Sequence, residues 1–93
     1  MYIRVTRMHI DPSGIDAAVA LIPETVAAIR RLPGCQHAQV GVDRASCEGI
    51  GISTYDTAEH AGFSRDEALA QAVARLREAG TRFEPAEVYE EVG

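Results

Sequence analysis

Apolar and polar residues alternate from Tyr2 to Ile10, with Ile3 and Val5 set between Arg4 and Thr6. That period of two predicts a half-buried strand. Asp11-Pro12-Ser13-Gly14 ends it with turn chemistry. From Ile15 to Leu32 the period changes. Ile15, Val19, Ile22, Val26 and Ile29 recur three or four residues apart and form one apolar stripe, which predicts a helix. Pro23 lies inside it and removes a backbone donor, so a kink is expected, or a short helix followed by a longer one. Pro33-Gly34 stops the helix.

Alternation returns in Cys35 to Asp43 and Cys47 to Tyr55, joined through Asp43-Arg44-Ala45-Ser46 as a hairpin. Val40 and Val42 are expected to meet Ile50 and Ile52 across it, leaving Gly41, Gly49 and Gly51 on the opposite face. A short helical turn follows from Thr57 to Ala61, with Asp56 and Glu59 at capping-box spacing. Ser64 and Glu67 have the same spacing and open a helix to Ala79, whose buried face is Leu69, Ala72, Val73 and Leu76. Gly80 caps that helix, and Thr81 to Val92 forms a last strand that Pro85 interrupts at an edge or bulge.

The order β-α-β-β-α-β, with right-handed crossovers, yields an α+β ferredoxin-like domain over residues 1–93. Its four-stranded antiparallel sheet has both helices on one face. The helices are expected to cover the side bearing Ile3, Val5, Val40, Val42, Ile50 and Ile52. The side with Gly49, Gly51, Ser53 and Tyr55 is then bare and suited to a second chain. A domain this small buries only about 60–65% of its unfolded surface, so a homodimer is a natural way to gain core.

Composition narrows the chemistry. The net charge is −5, and the nine basic residues are all Arg, with only Arg30 and Arg31 adjacent. An acidic chain without a basic stripe is not expected to bind nucleic acid or an anionic membrane surface. No uninterrupted apolar run approaches a membrane span and the N-terminus lacks a signal-peptide core, so a cytoplasmic location is expected. The chain has no Lys, which excludes Schiff-base chemistry, and no Trp or Asn. Cys35 and Cys47 are too few and too far apart for a thiolate zinc site or a CxxC pair, and read as small strand residues. His9, His37 and His60 show no metal-ligand spacing, so neither a metal nor a cofactor is expected.

Four segments together carry a family likeness: Leu32-Pro33-Gly34, Val42-Asp43-Arg44-Ala45-Ser46, Ile52-Ser53-Thr54-Tyr55-Asp56 and Val88-Tyr89-Glu90. In them the chain resembles the antibiotic biosynthesis monooxygenase (ABM) family of dimeric α/β-barrel proteins. The resemblance implies a dimer packed sheet to sheet, with a small apolar or aromatic molecule between helices and sheet. It implies, for some members, cofactor-free oxidation of aromatic polyketides. Tyr55 stands where a Trp is common in the family, and the Asn-Trp-His set of haem degraders has no counterpart here. A Gly usual in the hairpin is Cys47.

On that resemblance Tyr55 and His60 are the candidate catalytic residues, at the mouth of the sheet–helix cleft. Tyr55 would stack on substrate and donate a hydrogen bond, and His60 would act as base. Phe63, Tyr55 and Arg7 are the candidate ligand contacts. Arg4 and Arg7 on the first strand suit an anionic group, or else pair with Glu87, Glu90 or Glu91. Two other functions fit the same fold: a non-catalytic ligand-binding or stress-response module, and a polyketide cyclase or isomerase.

Overall fold

A computed structural model describes residues 1–62 and 66–93. Strand β1 is Tyr2–Ile10, followed by a 3-10 turn at Pro12–Gly14 and helix α1 at Ile15–Arg30. Strands β2 (Cys35–Asp43) and β3 (Glu48–Tyr55) form the hairpin. Helix α2 (Ala58–Ala61) and helix α3 (Glu67–Glu78) follow, and the chain closes with β4 (Thr81–Phe83) and β5 (Glu87–Glu90). The α+β class and the helix and strand order are those expected.

Pro85 divides the last strand in two. β4 pairs with Met8–Ile10 and β5 with Tyr2–Val5, both antiparallel to β1, so the antiparallel sheet has five strands rather than four. The break is local, because Glu84 N–H still donates to Arg7 C=O at 2.9 Å. Of the two outcomes expected at Pro23, the pair of successive helices does not occur. It sits exposed inside a single α1, and no second helix begins there. A carbonyl that loses its donor on an exposed side can turn to water, so the missing bond is tolerated.

By length and composition Pro12–Arg30 could cross a membrane, with a mean hydropathy of 1.3. Its sequence is not an uninterrupted apolar run, since Asp16 and Glu24 lie within it. In the fold Ala18, Thr25 and Ala28 are buried, and the Thr25 hydroxyl donates to Leu21 C=O at 3.3 Å. Glu24 meets Arg75 of α3. We read it as a core helix.

The caps of α2 and α3 lie one and two residues after the expected ones. Thr57, not Asp56, caps α2, its hydroxyl accepting from His60 N–H at 3.1 Å. Asp66 caps α3, accepting from Leu69 N–H at 2.9 Å, while the expected cap Ser64 lies outside the described residues. Gly80 terminates α3 with φ of +95°, and Gly34, three residues beyond the Arg31 cap of α1, turns the chain into β2 with φ of +74°, the conformation for which Gly was expected.

The main correction concerns the two faces of the sheet. Val40 pairs with Gly51 and Val42 with Gly49, while Gly41 faces Ile50 and Gln39 faces Ile52. The expected meeting of Val40 and Val42 with Ile50 and Ile52 is therefore displaced by one residue. The connection runs from Arg44 to Cys47, and Cys47 takes a left-handed φ of +57° before β3 begins. A shift of one residue moves every side chain to the other face.

Consequently Met8, Ile10, Val40, Val42, Gly49, Gly51, Ser53 and Tyr55 are on the helix side. Two clusters form the core there. Tyr55 packs with Ala28, Leu32, Ala61 and Leu69. Met8 and Ile10 pack with Ala18 and Leu76, with Val40, Val42 and Phe83 around them. Ile3, Val5, Ile50 and Ile52 belong to neither cluster and lie on the side away from the helices. The bare face is thus the aliphatic one, and the glycine face is the covered one.

Candidate functional site

A strand face of Gly, Gly and Ser leaves room where Val or Leu would fill it. Helices α1 and α3 roof this face, and the space between is a cavity of about 450 Å³, a volume suited to a small organic ligand. Its floor includes Arg4, Thr6 and Met8 of β1, Val40 of β2, and Gly51 and Ser53 of β3. Ile22, Thr25 and Ile29 of α1, with Leu69, Val73 and Leu76 of α3, close the other side. Phe83, Glu84 and Pro85 form one end.

The strand glycines do two different jobs. A Cβ on Gly49 would come within 2.7 Å of Met8 Cγ, so Gly49 makes room for a core side chain. A Cβ on Gly51 would meet nothing closer than Val40 Cγ2 at 3.6 Å, and the space beyond it is the cavity.

The polar groups in this lining are few. Arg4 and Ser53 are cross-strand partners on one face, and Thr6 pairs with Gly51 next to them. The half-buried Arg4 guanidinium donates from Nη1 to Ala61 C=O at 3.1 Å. Burial lowers its pKa from the usual arginine value, and the nearby Tyr55 phenol opposes that shift. At the other end Arg77 lies 5.7 Å over the Phe83 ring, and Glu84 meets His9 Nε2 at 2.6 Å.

Among the described residues, the candidates from the sequence, Tyr55, His60 and Arg7, fall outside the lining. Tyr55 is fully buried in the core cluster at the end of β3, not at a cleft mouth. Burial pushes its pKa up, with hydrogen bonding from Ser53 opposing, so the phenol stays protonated at neutral pH. His60 is half exposed, and its Nδ1 lies 2.6 Å from Asp56 Oδ1. That bond holds the Asp56 carboxyl below the usual carboxylate range. Gly34 accommodates the pair: a Cβ there would fall 2.0 Å from Asp56 Oδ1 and 2.3 Å from His60 Nδ1.

Arg7 is exposed on the opposite face of β1, its Nε 3.8 Å from Glu87 Oε1. Phe63 lies outside the described residues. Cys35 and Cys47 are free thiols, and burial pushes Cys35 up, away from the thiolate.

Thr6, Thr25, Gly51 and Ser53 line the cavity without having been expected as site residues, whereas Arg4 was expected, with Arg7, to suit an anionic group. A signal for them existed. Arg4, Thr6 and Ser53 are polar positions in phase with Met8, Ile10 and Tyr55, which are buried. Polar residues in phase with a core face point to a cavity rather than to solvent.

Five strands with helices on one side define a ferredoxin-like α+β domain with an internal cavity. No protein-family model and no curated protein matches the chain. Solved structures do. A protein from Deinococcus radiodurans named for the antibiotic biosynthesis monooxygenases aligns with a TM-score of 0.82 at 16% identity, covering 100% of this chain and 94% of its own. One so named from Chloroflexus aurantiacus aligns at 0.75 with 21% identity, covering 99% and 93%. SnoaB, a cofactor-independent oxygenase from Streptomyces nogalater, aligns at 0.70 with 17% identity, covering 99% and 93%. The chain has the fold of the antibiotic biosynthesis monooxygenases.

Proposed function

We propose that this protein binds a small, largely apolar or aromatic molecule in the cavity between its sheet and helices, and acts on it without metal or flavin as a monooxygenase. The cavity carries the reading: about 450 Å³, lined mainly by aliphatic side chains with a few convergent polar groups. Its likeness in fold to SnoaB, a cofactor-independent oxygenase, supports the reaction class. In that reaction a base takes a proton from the substrate, a role open to the Glu84 carboxylate in the lining. The resulting anion itself reacts with oxygen, one oxygen atom staying on the substrate and the other leaving as water, while the water-poor pocket keeps the anion from side reactions. Incubation with anthrone should then produce oxygen uptake above the protein-free rate. Uptake equal to that rate, with anthrone bound, would instead support a binding module of the same fold. One observation favours that second reading: Tyr55 and His60, the candidate hydrogen-bond donor and base, do not line the cavity.

The proposal includes a homodimer joined through the sheet face that carries Ile3, Val5, Ile50 and Ile52. Such a face is self-complementary under two-fold symmetry, and an uncovered aliphatic sheet is otherwise an aggregation hazard. Light scattering at micromolar concentration should show twice the 10.0 kDa chain mass. Val5→Glu, which sets a carboxylate beside Ile52 and Glu87, should reduce it to one chain. A monomeric mass for the unaltered protein would refute the dimer.

A further inference from the structure

A second recess lies where the chain passes from α3 into β4, lined by Asp11, Arg77, Gly80, Thr81 and Arg82 among others. Its walls are fixed to each other. Asp11 N–H donates to Gly80 C=O at 2.9 Å, and a Cβ on Gly80 would fall 2.8 Å from Asp11 Cβ. Two features there are not explained by packing. The Thr81 side chain is 2% exposed, yet its Oγ1 has no hydrogen-bond partner among the described residues. A Val of the same shape would fill that place without leaving a polar group unpaired. The second feature is charge. Elsewhere Arg7, Arg44 and Arg75 pair with carboxylates, and Arg4 and Arg30 donate to carbonyls. Arg77 and Arg82, both in this recess, do neither among the described residues. Arg77 lies over the Phe83 ring, a contact with the face of its guanidinium that leaves the N–H edges available. The carboxylate in the lining, Asp11, is turned to Ser13, accepting from its N–H at 3.2 Å and its hydroxyl at 3.0 Å. The recess therefore sets two cations against one anion.

We infer that this recess binds a tetrahedral oxyanion, the phosphate group of a small phosphorylated molecule. Arg77 donates to it from α3 and Arg82 from β4, and the Thr81 hydroxyl gains the acceptor it lacks. Donors on three side chains match the several oxygens and double charge of a phosphate better than the two oxygens of a carboxylate. A volume of about 440 Å³ leaves room for an organic group beside the phosphate. Arg77 alone of the described residues lines both this recess and the cavity, and the inference does not rest on the function proposed above.

Calorimetric titration of the full chain at constant ionic strength, with inorganic phosphate, phenyl phosphate and acetate, tests the site. Both phosphates are expected to bind, and acetate at least tenfold more weakly. Arg82→Gln, at an exposed position, should weaken phosphate roughly tenfold to a hundredfold, the range for a charge-assisted hydrogen bond. N-phenyl-1-naphthylamine, a neutral aromatic fluorophore suited to the cavity, should bind that variant as it binds the unaltered protein. Thr81→Val should weaken phosphate roughly threefold to tenfold while the phosphate-free protein unfolds at the same temperature or higher, since it loses only an unpaired hydroxyl. A lower unfolding temperature in Thr81→Val would show that the hydroxyl is already satisfied and would overturn its role. No heat with either phosphate, acetate binding as tightly as phosphate, or undiminished phosphate binding in Arg82→Gln would overturn the site.

Discussion

Gly51→Leu is expected to abolish ligand binding, lowering the affinity for N-phenyl-1-naphthylamine more than tenfold, while the protein unfolds at the same temperature or higher. A Cβ at position 51 would stand 3.6 Å from Val40 Cγ2 and 3.9 Å from Thr6 C=O, ordinary contact distances that ask nothing of their neighbours. The remaining side-chain atoms project into the cavity among Ile29, Val73 and Leu76. Burying a Leu side chain contributes about 1.5–3 kcal/mol. Replacing a strand glycine also removes a conformational-entropy cost of about 0.5–1 kcal/mol. Overpacking would offset part of that gain, at a typical cost of about 1–3 kcal/mol, so the net change in stability is small. Fluorescence titration and thermal unfolding read the two effects separately. Undiminished probe binding in a folded Gly51→Leu variant would show that the probe binds elsewhere, such as the bare sheet face.

Gly14→Ala should have the opposite profile, a large loss of stability with no direct effect on the cavity. Gly14 has φ of −109°, which any L-residue adopts, so its backbone angle is not the reason for glycine. The reason is contact. A Cβ there would lie 1.9 Å from Ala79 C=O oxygen and 3.1 Å from its carbon. Both are backbone atoms at the end of α3, where no rotamer change can relieve the clash. The two segments are also tied together, since Asp11 N–H donates to Gly80 C=O at 2.9 Å. Separating them breaks that bond and opens the Met8–Ile10–Leu76 cluster beneath. A cost of about 3 kcal/mol is expected, at the upper end of overpacking penalties. For a domain of this size that corresponds to a fall of roughly 12–24 °C in the unfolding midpoint. Gly62→Ala is the matched control, because among the described residues its Cβ would meet only carbonyl oxygens at 3.3 Å and 3.7 Å. A loss below about 1 kcal/mol at Gly14, within the range of routine substitutions, would show that the two helix ends part easily.

The unequal legibility of these features has a physical basis. Turn glycines such as Gly34 and Gly80 were readable because left-handed φ is a local property of one residue. The close approach at Gly14 was not. It depends on where the end of α3 arrives, 65 residues later in the chain. The buried stripe of α3 was readable from its period, and Leu69, Ala72 and Leu76 are buried in the fold. Arg4 and Arg7 could not be told apart as ligand contacts. Odd and even positions of β1 both carry an arginine, and their roles differ only because one face meets helices.

Candidate site residues divide along the same line. Tyr55 is a strand-end aromatic in the sequence and a core residue in the fold, shielded by Ala28, Leu32 and Ala61. His60 is bound to Asp56, four residues earlier, a pairing that helical spacing allowed but did not demand. The volume of the cavity is a property of no single strand or helix. It arises where Gly51 and Ser53 of one strand, Arg4 and Thr6 of another and two helix faces enclose a volume none of them fills.

The sheet with one uncovered face, expected from the amino-acid pattern, is present. However, β1 and β3 turn to the helices the sides opposite to those expected, while Val40 and Val42 of β2 face the helices as expected. Alternation along β1 and β3 determined by itself that the two faces differ, and the element order placed both helices on the same side. Which face the helices cover was decided only in the tertiary structure. Arg44 to Cys47, with Cys47 in the left-handed conformation, sets the hairpin one residue away from the register in which Val40 and Val42 meet Ile50 and Ile52. With a side-chain period of two, that single residue exchanges outside for inside. It puts the aliphatic face where a second chain can pack, and the glycine–serine face, with Arg4, inside the cavity.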